Sequence, residues 1–285
     1  MKLKDTPPIL DTRRFADSIR RQPAFFQELP KGSFAELPAN QRRQHFQHAM
    51  ASGALSIAQR LERSRGEYDL GANLFKLVSS LASFGDSEQA VEALRDTYGD
   101  SGWMPKNERS LFHDQKQEII EFNHTLREVI NAGASRFSFD ELLAFMTTMY
   151  EASGGETTLN FHNRARSALV GMRNEIAVEQ VLIAAGVDYE LGDAAQDAKG
   201  GDFIIDGVSI DVKTSEQSAR YAQEKARRNG FNPRTIVWSH INFTDFEGQL
   251  TLPPEMNDAI FAKIKPDIDM AITSEKLPRS SQRVA

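Results

Sequence analysis

The sequence predicts a chain in two parts: an all-helical region over 1–155, then a mixed α/β domain over 156–275 with a polar tail at 276–285. Three observations carry this. Apolar residues recur at helical spacing through the first half. Past the glycine-bearing stretch from Ala152 to Glu156 the order becomes helix, strand, strand, helix, strand. The dipeptide Asp206-Gly207, set between two apolar runs, marks a tight hairpin.

The elements follow in order. Ser33 to about Arg65 is rich in helix formers, with Pro38 in an early turn. Leu70–Leu81, Ser87–Tyr98 and Asn107–Ile130 are expected as three further helices, the last with Asn107 as N-cap and Gly133 as stop. Ser138 followed three residues later by Glu141 has the form of a capping box, opening a helix to about Tyr150. Ala152–Glu156 is the expected linker. Beyond it a helix from about Asn163 to Ala185 precedes strands at Asp202–Ile205, Val208–Lys213 and Thr235–Phe243, with a polar helix at Glu216–Asn229.

Composition narrows the chemistry. The 285 residues are 40% hydrophobic and 26% charged, ordinary for a globular protein with a real core. No apolar run reaches the roughly 18 residues that span a bilayer, and the N-terminal stretch has no signal-like apolar core, so no membrane association and a cytoplasmic location are expected. Cysteine is absent, which rules out disulfides, thiol nucleophiles and thiolate metal sites. Any metal must sit on oxygen or imidazole, and carboxylates suit magnesium or manganese. The net charge of −6 disfavours coating nucleic acid by bulk charge, yet it leaves room for a local basic patch beside an acidic centre.

The segment from Gly200 to Thr214 is the most informative. A two-residue turn at Asp206-Gly207 pairs Ile205 with Val208, Ile204 with Ser209, Phe203 with Ile210 and Asp202 with Asp211. Side chains alternate, so Phe203, Ile205, Val208, Ile210 and Val212 share an apolar face. Asp202, Ile204, Ser209, Asp211 and Lys213 share the other. Two carboxylates thus become cross-strand neighbours. Like charges placed so destabilise a bare sheet, and a divalent cation between them reverses the sign. The competing reading is an exposed hairpin face on which Lys213 simply pairs with Asp211.

The helix before the hairpin supplies a third acid. Glu175 falls in a stripe of Ala168, Gly171, Met172, Val178 and Leu182. A glutamate among small and apolar neighbours is expected to point at the sheet, and buried carboxylates are rare unless paired or metal-bound. Glu179, one turn on, reads as a solvated rim residue near Arg173 or Lys199, with a second-ligand role as the alternative.

A helical glutamate, an aspartate opening one strand, D-x-K on the next strand and then a helix resembles the PD-(D/E)XK nuclease superfamily. The resemblance runs from about Ala165 to Phe243. It implies a restriction-endonuclease-like mixed sheet flanked by helices, and a metal-dependent deoxyribonuclease. It further implies that Asp202, Asp211, Glu175 and the Val212 carbonyl hold Mg2+ (Mn2+ substituting), while Lys213 assists the attacking water. The sequence departs from the pattern in one place: Gly201, not proline, precedes Asp202.

Within that expectation the enzyme is an endonuclease of restriction, anti-phage or repair type, with restriction or anti-phage ranking ahead of a junction resolvase, which needs little beyond its catalytic domain. The long helical extension could recognise DNA, a protein partner or a second copy of the chain. A non-catalytic DNA- or protein-binding module that keeps the fold is the alternative. Arg220, Arg227 and Arg228, with Lys225, share the polar helix, and with Lys199 and Gln217 are the expected phosphate contacts. The competing reading of that helix is a solvated face with Glu216 and Glu224 as partners. Gln196 is a weaker contact of the same kind. Trp238 reads as core, and His162 and His240 as structural. His45 and His48 lack the third ligand of a zinc site.

Overall fold

The computed structural model describes residues 41, 68–98, 104–133, 138–152, 159–192, 201–228, 234–237 and 248–276. The helix expected at 33–65, the loop with Gln196 and Lys199, the residues 238–243 that include Trp238 and His240, and the polar tail lie outside these, with Gln41 alone described in the first. The chain forms two compact units, Met1–Leu169 with Gly248–Leu250, and Val170–Glu247 with Thr251–Ala285. The expected linker lies mostly outside the described residues, and the division falls instead inside a helix, between Leu169 and Val170.

The first unit is built on α1 (Tyr68–Tyr98), α2 (Lys106–Gly133), α3 (Phe139–Ala152) and the first part of α4 (Leu159–Ala184). α1 corrects the expectation of two helices: it runs unbroken through Gly85-Asp86. A glycine inside a helix costs about 1 kcal/mol against alanine. Here it is offset by packing, since a Cβ on Gly85 would stand 2.7 Å from the Tyr150 ring. That ring is stacked on Phe161 with centroids 3.7 Å apart, and Phe84 stacks on Phe122 at 4.0 Å. Phe84, Leu126, Phe145 and Leu169 are fully buried around these pairs.

The start of α2 is a second correction. Asn107 is not the cap; the helix already includes Lys106, and Arg109 N–H donates to the Pro105 carbonyl at 2.9 Å. The capping box of α3 forms as expected. Ser138 N–H donates to Glu141 Oε2 at 2.6 Å, and Glu141 N–H donates back to Ser138 Oγ at 3.2 Å.

The second unit is α/β. Its sheet has the order β1-β2-β3-β4, with β1 (Glu190–Leu191), β2 (Phe203–Ile205), β3 (Val208–Lys213) and β4 (Arg234–Val237). The first three strands are antiparallel, and β4 runs parallel to β3 after the crossover helix α5 (Glu216–Arg228). β2 and β3 pair as expected at Phe203–Ile210, Ile204–Ser209 and Ile205–Val208, while the expected Asp202–Asp211 pair lies beyond the ladder. Asp206 has φ 51° and Gly207 φ 77°, the two positive angles of the expected turn.

One face of this sheet is covered by α6 (Asn257–Lys276), which sequence reading left unassigned. Ile260, Ile264, Ile268 and Ala271 form its buried stripe, and join Phe203, Ile205, Val208, Ile210 and Val212 with Val178, Val181 and Leu182 of α4 in one core. Gln180 ties the approach to α6 in place, its Oε1 accepting from Leu252 N–H at 3.0 Å.

Candidate functional site

The site is built on the face of the hairpin away from that core. In the pairing of β2 with β3, Ile204 and Ser209 are half-buried, while Phe203, Ile205, Val208 and Ile210 are buried, as alternation requires. Asp202 precedes the regular ladder, which ends at Phe203–Ile210. Its backbone N–H still donates to the Ile210 carbonyl at 2.9 Å, and its carboxylate Oδ2 accepts from Val212 N–H at 2.6 Å. The strand is thus held by main chain and side chain of one residue, and the acid is fixed next to Asp211.

Asp211 is the unusual member. It is 3% exposed, one of four buried polar or charged residues among those described. Burial first, and the Asp202 carboxylate second, push its pKa up to about 7. Lys213 makes an ion pair with Asp211 Oδ1 and sits 3.5 Å from the Val212 carbonyl oxygen. Burial works to lower the Lys213 pKa, but the carboxylates of Asp211, Asp202 and Glu175 outweigh it and hold the ammonium above its ordinary value. The reading in which Lys213 and Asp211 pair on an exposed hairpin face is therefore half right. They do pair, but the carboxylate is inside the protein.

Glu175 lies on α4 and is half-buried, and its charge acts on Lys213. Glu179, one turn further, is also half-buried. Its Oε1 accepts from the Tyr189 hydroxyl at 2.9 Å, and Tyr189 packs edge-on against Phe203. The structure thus adds Tyr189 as a neighbour where the sequence suggested Arg173 or Lys199. It also shows Arg173 and Asn174 buried, at 6% and 0%. Their burial does not follow from the sequence pattern, because a single apolar stripe understates how much of α4 is covered.

The donor set suits a hard cation through oxygen: two adjacent carboxylates, one of them resisting ionisation, and a carbonyl already close to a positive charge. It falls short of a closed cage. Among the described residues no three histidine, aspartate or glutamate side chains gather as a metal-holding group. Glu175 is within electrostatic reach of Lys213, not grouped with the aspartates as a third ligand.

The expected phosphate contacts are only partly placed. Gln217 and Arg220 are exposed near the start of α5, whose first turn is capped by Ser215 Oγ accepting from Ser218 N–H at 3.1 Å. Arg220 pairs with Glu216 one turn back, as the solvated-face reading of this helix has it. Arg227 and Arg228 fall in the last turn of α5, and their side chains, with that of Lys225, lie outside the described residues, as does Lys199. His162 is exposed on α4 in the first unit. No described helix is long and apolar enough to cross a membrane. Comparison with protein-family models, with curated proteins and with solved structures finds no match for this chain.

Proposed function

We propose that the second unit is a magnesium-dependent phosphodiesterase acting on DNA, with Asp202, Asp211 and Glu175 as its acids and Lys213 as its base-side cation. The observation that carries the reading is the buried Asp211 carboxylate, set beside Asp202 and touched by Lys213. A fold gains nothing from burying one acid next to another unless a cation answers both. Lys213 contacts Asp211 and its charge acts on Asp202 as well, one positive charge against two acids that a divalent ion would balance.

In this reading Asp202, Asp211, Glu175 and the Val212 carbonyl would hold the ion. Bound magnesium supplies Lewis-acid polarisation of the phosphate and a lowered pKa for water. Lys213 would orient the attacking water and offset charge on the phosphoryl oxygens. Gln217 and Arg220, exposed near the start of α5 just beyond the catalytic strand, would meet the DNA backbone beside the scissile phosphate, Arg220 leaving Glu216 to do so.

The rival is a binding module that retains the hairpin without the chemistry, favoured by one observation: no three-acid group gathers among the described residues. Supercoiled plasmid with Mg2+ or Mn2+ separates the two. The proposal expects nicking by the wild type, lost in Lys213→Ala and Asp211→Asn. Binding of plasmid with no cleavage under either metal assigns the rival.

A further inference from the structure

The first unit contains a solvent-open cavity of about 390 Å³ among α1, α2 and α4, well separated in chemistry from the hairpin acids. Its volume lies within the ordinary range of small-ligand pockets. Phe84 and Ile119 give it an apolar wall. Glu88 and Glu92, one turn apart on α1, Asn123 on α2, and Arg164 on α4 give it a polar one.

The charges do not balance. Arg164 forms an ion pair with Glu92, which accounts for one carboxylate and the guanidinium. Glu88 is the second carboxylate of the lining. Desolvation by burial raises its pKa, and the attraction of Arg164 and Arg95 opposes that in part. Asn123 Oδ1 is also buried with no described hydrogen-bond donor. The cavity lining thus sets two carboxylates against one guanidinium, with a buried Asn123 Oδ1 lacking a described donor, beside a wall suited to a methylene chain. A buried carboxylate is costly until it is paired, and a partner with N–H donors and a positive charge satisfies both groups at once.

We propose that this cavity binds a cation on a short alkyl stem, an ammonium or guanidinium, whose charged head pairs with Glu88 and whose stem lies against Phe84 and Ile119. Such a group can arrive as a free polyamine or as an arginine side chain of a protein. The inference is independent of the nuclease reading.

The test is calorimetric titration of the full-length chain with spermidine, with acetyl-arginine amide and with acetate. Saturable binding of either cation, weakened roughly tenfold or more by Glu88→Gln and unchanged by the exposed control Glu255→Gln, is expected from the loss of one charge-assisted bond. A stronger response to spermidine assigns a free amine, and one to the arginine derivative a protein side chain. If Glu88→Gln does not fold, Ala168→Phe, which fills the cavity, must abolish binding instead. Binding of acetate alone would hand the cavity to Arg164 and overturn the proposal. So would cation binding that survives Glu88→Gln or the filled cavity, or the absence of any binding.

Discussion

Asp211 and Glu88 are both pushed toward neutrality, and their surroundings differ. Asp211, in the sheet unit, has a second carboxylate beside it and an ammonium in contact. Glu88, in the helical unit, feels the charges of two arginines and has an open cavity before it. The first arrangement is over-determined: backbone register, the Asp202–Val212 hydrogen bond and Lys213 all fix where the charge sits. The second is permissive, set by packing alone. Precise chemistry belongs on the first kind of scaffold, because rigid elements hold reacting groups in place. Reversible occupancy suits the second.

The largest expected effect breaks the first arrangement at its function. Asp211→Asn and Lys213→Ala should each lower plasmid cleavage by at least about a hundredfold, the usual loss when one preorganised charged group leaves an active site. Gel-resolved single-turnover nicking measures it. Equal rates in wild type and both variants would place the activity elsewhere.

Next is stability. Lys213→Met leaves the two aspartates without their cation and should cost about 3 kcal/mol at pH 8, by urea unfolding without metal. The loss should shrink toward pH 5. The sign follows from Asp211, whose native pKa near 7 exceeds the ordinary 3.8. The unfolded chain releases that proton first, so the stability this group contributes is full below pH 4 and is lost as pH rises through 7. Asp211→Asn should therefore flatten the pH profile in this range and be at least as stable as wild type at pH 8.

The helical unit sharpens the contrast through packing. Gly85→Ala drives a methyl into the Tyr150 ring, which its stacking on Phe161 prevents from yielding. It should cost about 1–3 kcal/mol, read as a lower midpoint in the same unfolding series. The smallest effect is Ser138→Ala, at about 1 kcal/mol, because it removes one half of a reciprocal cap. A neutral Gly85→Ala would mean that Tyr150 moves freely.

Which features were legible in the sequence follows the same division between local and distant causes. The register of β2 against β3 was readable because a two-residue turn with two positive φ angles decides it within four residues. The contact between Asp211 and Lys213 followed from alternation alone, and the α3 cap from its four-residue pattern. The continuity of α1 was not readable, since Gly85 looks like a breaker until Tyr150, far along the chain, is seen to need the space. α6 escaped because Pro266 interrupts it. Yet Pro266 and Ala262, whose carbonyl would have taken the missing bond, are both exposed, so water can satisfy what the proline removes. The depth of Asp211 was likewise invisible. Alternation places it on the polar face, and only the three-dimensional packing buries it to 3%.

The thermal midpoint at pH 8, followed as magnesium is added, bears most directly on the hairpin acids. A ligand that favours the native state raises the midpoint in proportion to the logarithm of its concentration. The wild type should rise steadily and Asp211→Asn should stay flat, with Glu175→Gln between them. A wild type indifferent to magnesium, or an Asp211→Asn variant that rises equally, would contradict the assignment of these residues to a metal.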